Sequence, residues 1–171
     1  GTLYAALNLG HFGVKLRRSA DGAATWEEVA APEYPPQPAD SKDKTPWKLV
    51  QLWSLESGGD CLWAGTIPGG LFQSKDRGAS WKLVEGLWNR PERAEWAGGG
   101  YDHPGIHSIA VDPRDARRIT VAISTGGAWQ TRDGGDTWAI CAQGMYAEYM
   151  PPEQKFDQNV QDIHRLVQCA A

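Results

Sequence analysis

The chain has 171 residues, a 41% apolar share and a net charge of −4, enough for one packed core but without the basic excess that a phosphate-backbone binder needs. No apolar run approaches the roughly 20 residues of a membrane-spanning helix. Nucleic acid and membrane are therefore not expected partners, and twenty Gly with eleven Pro speak for many turns and few long helices. The opening residues 1–6 lack the basic segment and long apolar stretch of a secretory signal, and without an initiator Met the chain reads as a processed or cut product. Cys61, Cys141 and Cys169 have no metal-ligand spacing, so neither metal nor cofactor is expected. Read as small buried hydrophobes in strands, they fit a reducing compartment and a cytoplasmic location.

In chain order, residues 3–7 and 13–17 read as strands, followed by Ser19-Ala20-Asp21-Gly22-Ala23-Ala24-Thr25-Trp26 and a strand over 26–29. A second unit has strands at 50–55, 62–66 and 70–73, then Ser74-Lys75-Asp76-Arg77-Gly78-Ala79-Ser80-Trp81 and a strand at 81–84. A third has 107–111, 120–124 and 127–130, then Thr131-Arg132-Asp133-Gly134-Gly135-Asp136-Thr137-Trp138 and 138–141. The shared template is [ST]-x-D-x-G-x-[ST]-W, and its tryptophans are 55 and then 57 residues apart. Each template falls between two short strands and is the turn of a hairpin.

Four short strands per repeat, A to D, with the box in the C–D turn, describe a propeller blade. The fold class is thus all-β: a β-propeller fragment of about three four-stranded antiparallel blades. Blade 1 covers about 1–30, blade 2 about 48–86 and blade 3 about 106–142, with 163–171 as the first strand of the next blade.

The box residues explain themselves. Asp21, Asp76 and Asp133 accept hydrogen bonds inside the turn, and the Gly takes a positive φ. The hydroxyl residue ties the turn down, and Trp26, Trp81 and Trp138 cover it, each in the same way. All six are expected to be structural. Ala23 replaces the Gly of the first box, so that box is expected to be distorted.

These boxes resemble the BNR, or Asp-box, repeats of sialidases, which also occur in xyloglucan-cleaving hydrolases, sortilin-type receptors and photosystem assembly factors. The resemblance runs from about residue 3 to residue 142 and implies the fold, whereas the activities of those families differ. It further implies that ligands bind on the face of the D–A and B–C loops, opposite the boxes. Sialidases carry an Arg-Ile-Pro motif, three substrate-binding arginines and a Tyr–Glu pair. Here Thr66 precedes Ile67-Pro68, the loop arginines are Arg90, Arg93 and Arg165, and Glu148 merely adjoins Tyr149.

The D–A loops, at 31–47, 86–105 and 143–162, are long enough to suggest function. His107 and His164 are 57 residues apart, the step of the boxes, which places both at the mouth of an innermost strand A. Tyr101, Asp102, His103 and Arg165 lie beside them in sequence, and His11 falls in a B–C loop of the same face. These residues are the expected ligand-binding set. The carboxylates available for catalysis are Glu92, Glu95, Asp102, Glu148 and Asp162. The leading reading is a scaffold that binds a carbohydrate or protein ligand through these loops. The alternative is a glycoside hydrolase, sialidase-like or using two carboxylates, on the same face.

Closed propellers typically have about 4–8 blades, so a three-blade arc is expected to leave two large apolar blade faces. Either the remaining blades belong to a longer chain, or a homodimer closes a six-bladed ring, the strand at 165–169 completing the partner's first blade.

Overall fold

The computed structural model describes residues 1–169. Three antiparallel sheets follow one another along the chain. The first contains β1 (Leu3–Asn8), β2 (Val14–Ser19) and β3 (Glu27–Val29). The second contains β4 (Gln51–Gly58), β5 (Cys61–Ile67), β6 (Leu71–Ser74) and β7 (Lys82–Leu83). The third contains β8 (Ile106–Val111), β9 (Ile119–Ile123), β10 (Gly127–Thr131) and β11 (Ala139–Ile140). Strands pair in sequence order, as short turns between antiparallel neighbours dictate.

Side-chain alternation sorts the core into layers. In β6, Leu71 joins the cluster shared with the third sheet, together with Trp63, Ile109, Val121 and Trp129. Its neighbour Phe72 points the other way, to Leu16, Tyr34 and Trp88 at the boundary with the first sheet. In β9 and β10, Val121 and Trp129 face the second sheet, while Ala122 and Ala128 face outward and are covered by Ile163 and Leu166.

All three box turns have the same hydrogen-bond set. Asp21 Oδ1 accepts from Thr25 N at 2.9 Å and Oδ2 from Thr25 Oγ1 at 2.6 Å, while Ser19 Oγ accepts from Ala23 N at 2.9 Å. Asp76 accepts from Ser80 N at 2.8 Å and Ser80 Oγ at 2.5 Å, and Gly78 N donates to Ser74 Oγ at 2.8 Å. Asp133, Thr137, Thr131 and Gly135 repeat it. Donation by the Thr25 and Ser80 hydroxyls, then by their backbone N–H groups, holds Asp21 and Asp76 down at about 2, and Asp133 is lowered in the same way by Thr137.

Two expectations about the boxes are corrected. The first turn is not distorted: Ala23 adopts φ 74°, beside 83° for Gly78 and 108° for Gly135, and the hydrogen bonds are intact. The closed turn outweighs the roughly 1–2 kcal/mol that a Cβ costs in this region. The preceding position is left-handed too, with Gly22 at 71°, Arg77 at 60° and Gly134 at 81°.

Nor do the tryptophans act alike. Trp138 is 5% exposed and donates to Gly135 O at 3.0 Å within its own turn. Trp81 instead reaches Ala30 O of the first blade at 2.8 Å, and Trp26 is 38% exposed. The second and third boxes pack on the preceding blade. Gly78 lies against Tyr4, Leu16 and Val29, and Gly86, just after β7, sits so close to Asp136 O of the third box that a Cβ there would collide with it. No described residue stands in that place for the first box.

The two end faces are not the wholly bare apolar surfaces expected. The free side of the first sheet is mixed: Lys15, Arg17 and Glu28 lie beside Leu3, Ala5 and Leu7, with Lys15 Nζ 2.7 Å from Glu28 Oε1. On the third sheet, Ile163 and Leu166 cover the small residues. Residues 161–169 form no hydrogen-bonded strand, so the expected strand at 163–171 is not seen over its described part, and 170–171 lie outside the described residues. Of the cysteines, Cys61 alone lies in a strand, half-buried, whereas Cys141 and Cys169 are exposed.

Candidate functional site

The three long loops lie together opposite the boxes and are fastened to one another. The second is shaped by α1 (Glu85–Trp88) and a 3-10 turn over Pro91–Glu95. Its Arg93 binds Asp43 of the first loop, Nη2 to Oδ2 at 2.6 Å, while Trp47 Nε1 donates to the same oxygen at 2.8 Å. Burial disfavours the charged form of Asp43, but donation from Trp47, Thr45 and Arg93 prevails and its pKa is lowered. On the other side, the buried Trp96 donates to Asn159 Oδ1 of the third loop at 3.0 Å, and Asn159 Nδ2 donates to Glu95 Oε2, also at 3.0 Å.

Between the innermost strands β4 and β8 a cavity of about 650 Å³ opens under these loops. Both strands break their pairing register there. In β4 the break falls between Leu52 and Ser54, leaving Trp53 as the extra residue; in β8 it falls between Ile106 and Ser108, leaving His107. A bulge bends the strand and re-aims one side chain. Trp53 and His107 meet with ring centroids 5.7 Å apart, and Tyr101 from the second loop stacks edge-on against Trp53 at 5.0 Å. Tyr101 is 52% exposed, so the aromatic platform faces solvent. His107 Nδ1 is 3.0 Å from Ser108 Oγ, and its buried Nε2 meets no partner in good geometry. Burial lowers the His107 pKa, against the opposing pull of the Ile163 backbone and the Asp162 charge.

His164, Arg165 and Asp162 line the same cavity; the exposed His164 ring has Nε2 3.8 Å from Asp162 Oδ2. The expected pair His107 and His164 is therefore brought together, with Tyr101. Asp102 and His103 are not part of it: they line a second cavity, of about 1000 Å³, beyond Tyr101. His11 lies on an exposed turn against Phe12, at 4.2 Å, and lines neither cavity.

The candidate carboxylates are dispersed. Glu92 is paired with Arg90 at 2.7 Å, which lowers its pKa, and Glu95 is bonded to Asn159. Glu148 is exposed, and Asp102 and Asp162 face different cavities. Trp53, Glu56 and Ser108 were missed. The signal available was the match of Leu52-Trp53-Ser54 to Ile106-His107-Ser108, the same apolar-aromatic-Ser step in two successive blades. Among the described residues, no group of three or more His, Cys, Asp or Glu side chains is placed to hold a metal ion.

No family model matches the chain, and no curated protein matches it. Among solved structures it is similar to a GH74 xyloglucanase from Xanthomonas campestris, at 18% identity over 85% of this chain and 22% of that one, TM-score 0.55. It is also similar to the extracellular domain ascribed to a hybrid two-component system of B. thetaiotaomicron, at 17% identity over 94% of this chain and 17% of that one, TM-score 0.50. The fold is that of a β-propeller segment. The segment spans about a fifth of the length of the chains it matches, and at such identity the likeness speaks for the scaffold alone.

Proposed function

We propose that this chain is an Asp-box repeat segment whose long-loop face binds a carbohydrate or protein ligand, with the first cavity as the binding site. The observation that carries this reading is the pair of equivalent bulges, which turn Trp53 and His107 toward the exposed Tyr101. An apolar ring face with polar groups around it suits a ligand that has both a flat apolar face and hydroxyl or amide groups. The sugar-cleaving scaffold relative makes xyloglucan oligosaccharides the first probe.

A hydrolytic reading has one observation of its own, since Glu56 and Asp162 line the same cavity. Calorimetric titration and reducing-sugar release separate the two readings. Binding that Tyr101→Ala weakens at least about tenfold, without sugar release, supports the scaffold. Release that Glu56→Gln abolishes supports the hydrolase. Binding unchanged in both Tyr101→Ala and Trp53→Ala would place the site elsewhere.

A further inference from the structure

We propose that the second cavity is an anion-binding subsite for a carboxylate-bearing, uronate-type oligosaccharide whose chain continues from the first cavity over Tyr101; this rests on the first cavity being a binding site. Tyr101 and Gly98 line both cavities, so a chain-like ligand on the aromatic platform has one continuous path between them.

The wall of the second cavity is cationic in a chain of net charge −4. Its charged members are Lys42, Lys44, Arg90 and Arg93 against Asp43 and Asp102. Arg93 pairs with Asp43 and Arg90 with Glu92, so the unpaired charges of the wall are Lys42 and Lys44 against Asp102. Lys42 and Lys44 make no ion pair among the described residues.

The arginines are held in place before any ligand arrives. The Arg93 guanidinium stacks 3.8 Å above Trp88, and its Nε donates to Trp88 O at 2.7 Å. With Nη2 on Asp43, these contacts leave Nη1 free to donate. Arg90 is fixed by Glu92 through Nε and Nη2, which leaves its Nη1 free as well. Two oriented Nη1 groups three residues apart in sequence can each donate one charge-assisted hydrogen bond to carboxylate groups spaced along a chain. The side chains are ordered already, so binding costs little rotamer entropy.

A sugar fits this wall better than an acidic peptide. Residues 41–47 and 88–104, which build it, contain no strand, so there is no sheet edge for a peptide to extend. The exposed aromatic ring at its border offers a flat surface on which a pyranose can lie.

The test is titration of the full chain with three probes at low salt: an oligogalacturonate hexamer, a neutral cellohexaose and a poly-glutamate peptide. Oligogalacturonate is expected to bind about tenfold more tightly than cellohexaose, the worth of one charge-assisted hydrogen bond. That preference should shrink as salt rises and vanish in the exposed double variant Lys42→Glu/Lys44→Glu, while Tyr101→Ala weakens both sugars. Equal binding of the two sugars, or a preference that survives the double variant, overturns the anionic subsite and leaves the first cavity standing. Poly-glutamate binding as tightly as oligogalacturonate overturns the choice of a sugar. Sugar binding that Tyr101→Ala leaves intact overturns the reading of the first cavity and this proposal with it.

Discussion

The first and third blades carry the same box in different surroundings. Asp21 and Asp133 accept the same bonds from Thr25 and Thr137, yet Trp26 is exposed and Trp138 is buried. Aligning the blades on Ser19, Ser74 and Thr131 extends the contrast. The position that faces the preceding blade holds Arg17 in the first, Phe72 in the second and Trp129 in the third. The turn is thus a local device that closes on its own donors and acceptors. What its tryptophan and flanking strand contribute depends on whether another sheet lies against them.

That contrast predicts opposite outcomes at matched positions. Phe72→Arg buries an unpaired charge and deletes a ring at an inter-blade boundary, and is expected to cost more than about 4 kcal/mol or abolish folding. Arg17→Ala should stay within about 0.5 kcal/mol in urea unfolding. A large loss at Arg17 would mean that its face is occupied.

The next largest difference concerns the box tryptophans. Trp138→Ala should cost about 3–5 kcal/mol and Trp26→Ala less than about 1. Similar shifts in melting temperature for the two would show that the turn, rather than the neighbour, sets their worth.

Acid should act on the boxes alike. With Asp21 and Asp76 held at about 2 against an unfolded value of 3.8, their contribution is whole above that value and is lost as pH falls toward 2. Asp21→Asn and Asp133→Asn should each flatten the acid limb of a stability profile. If only Asp133→Asn does so, the first box is not autonomous.

The smallest effect concerns the backbone. Ala23→Gly and Arg77→Gly remove a Cβ from left-handed positions and should each gain about 1 kcal/mol. Gly134→Ala, at φ 81°, should lose a similar amount. Thermal unfolding of the three variants measures this directly.

The repeat, the strands and the box chemistry were legible in the sequence because each depends on residues within a few positions of one another. Alternation places Leu71 and Phe72 on opposite faces, and Asp76 finds its donors four residues on. The candidate site was half legible. The spacing of His107 and His164 placed them at one mouth with Tyr101, but Trp53 and the division into two cavities were not foreseen. A bulge alters register without altering composition, and the link between Arg93 and Asp43 joins residues 50 positions apart in sequence.

By itself, then, the sequence determined three hairpin-centred sheets and turns that satisfy their own polar groups, since hydrogen bonds over four residues require no partner. Only the tertiary structure decided which tryptophan is buried, which blade faces are covered and which loop residues share a cavity. Those outcomes depend on which surfaces meet when the sheets stack, and burial has no value until the opposing surface is in place.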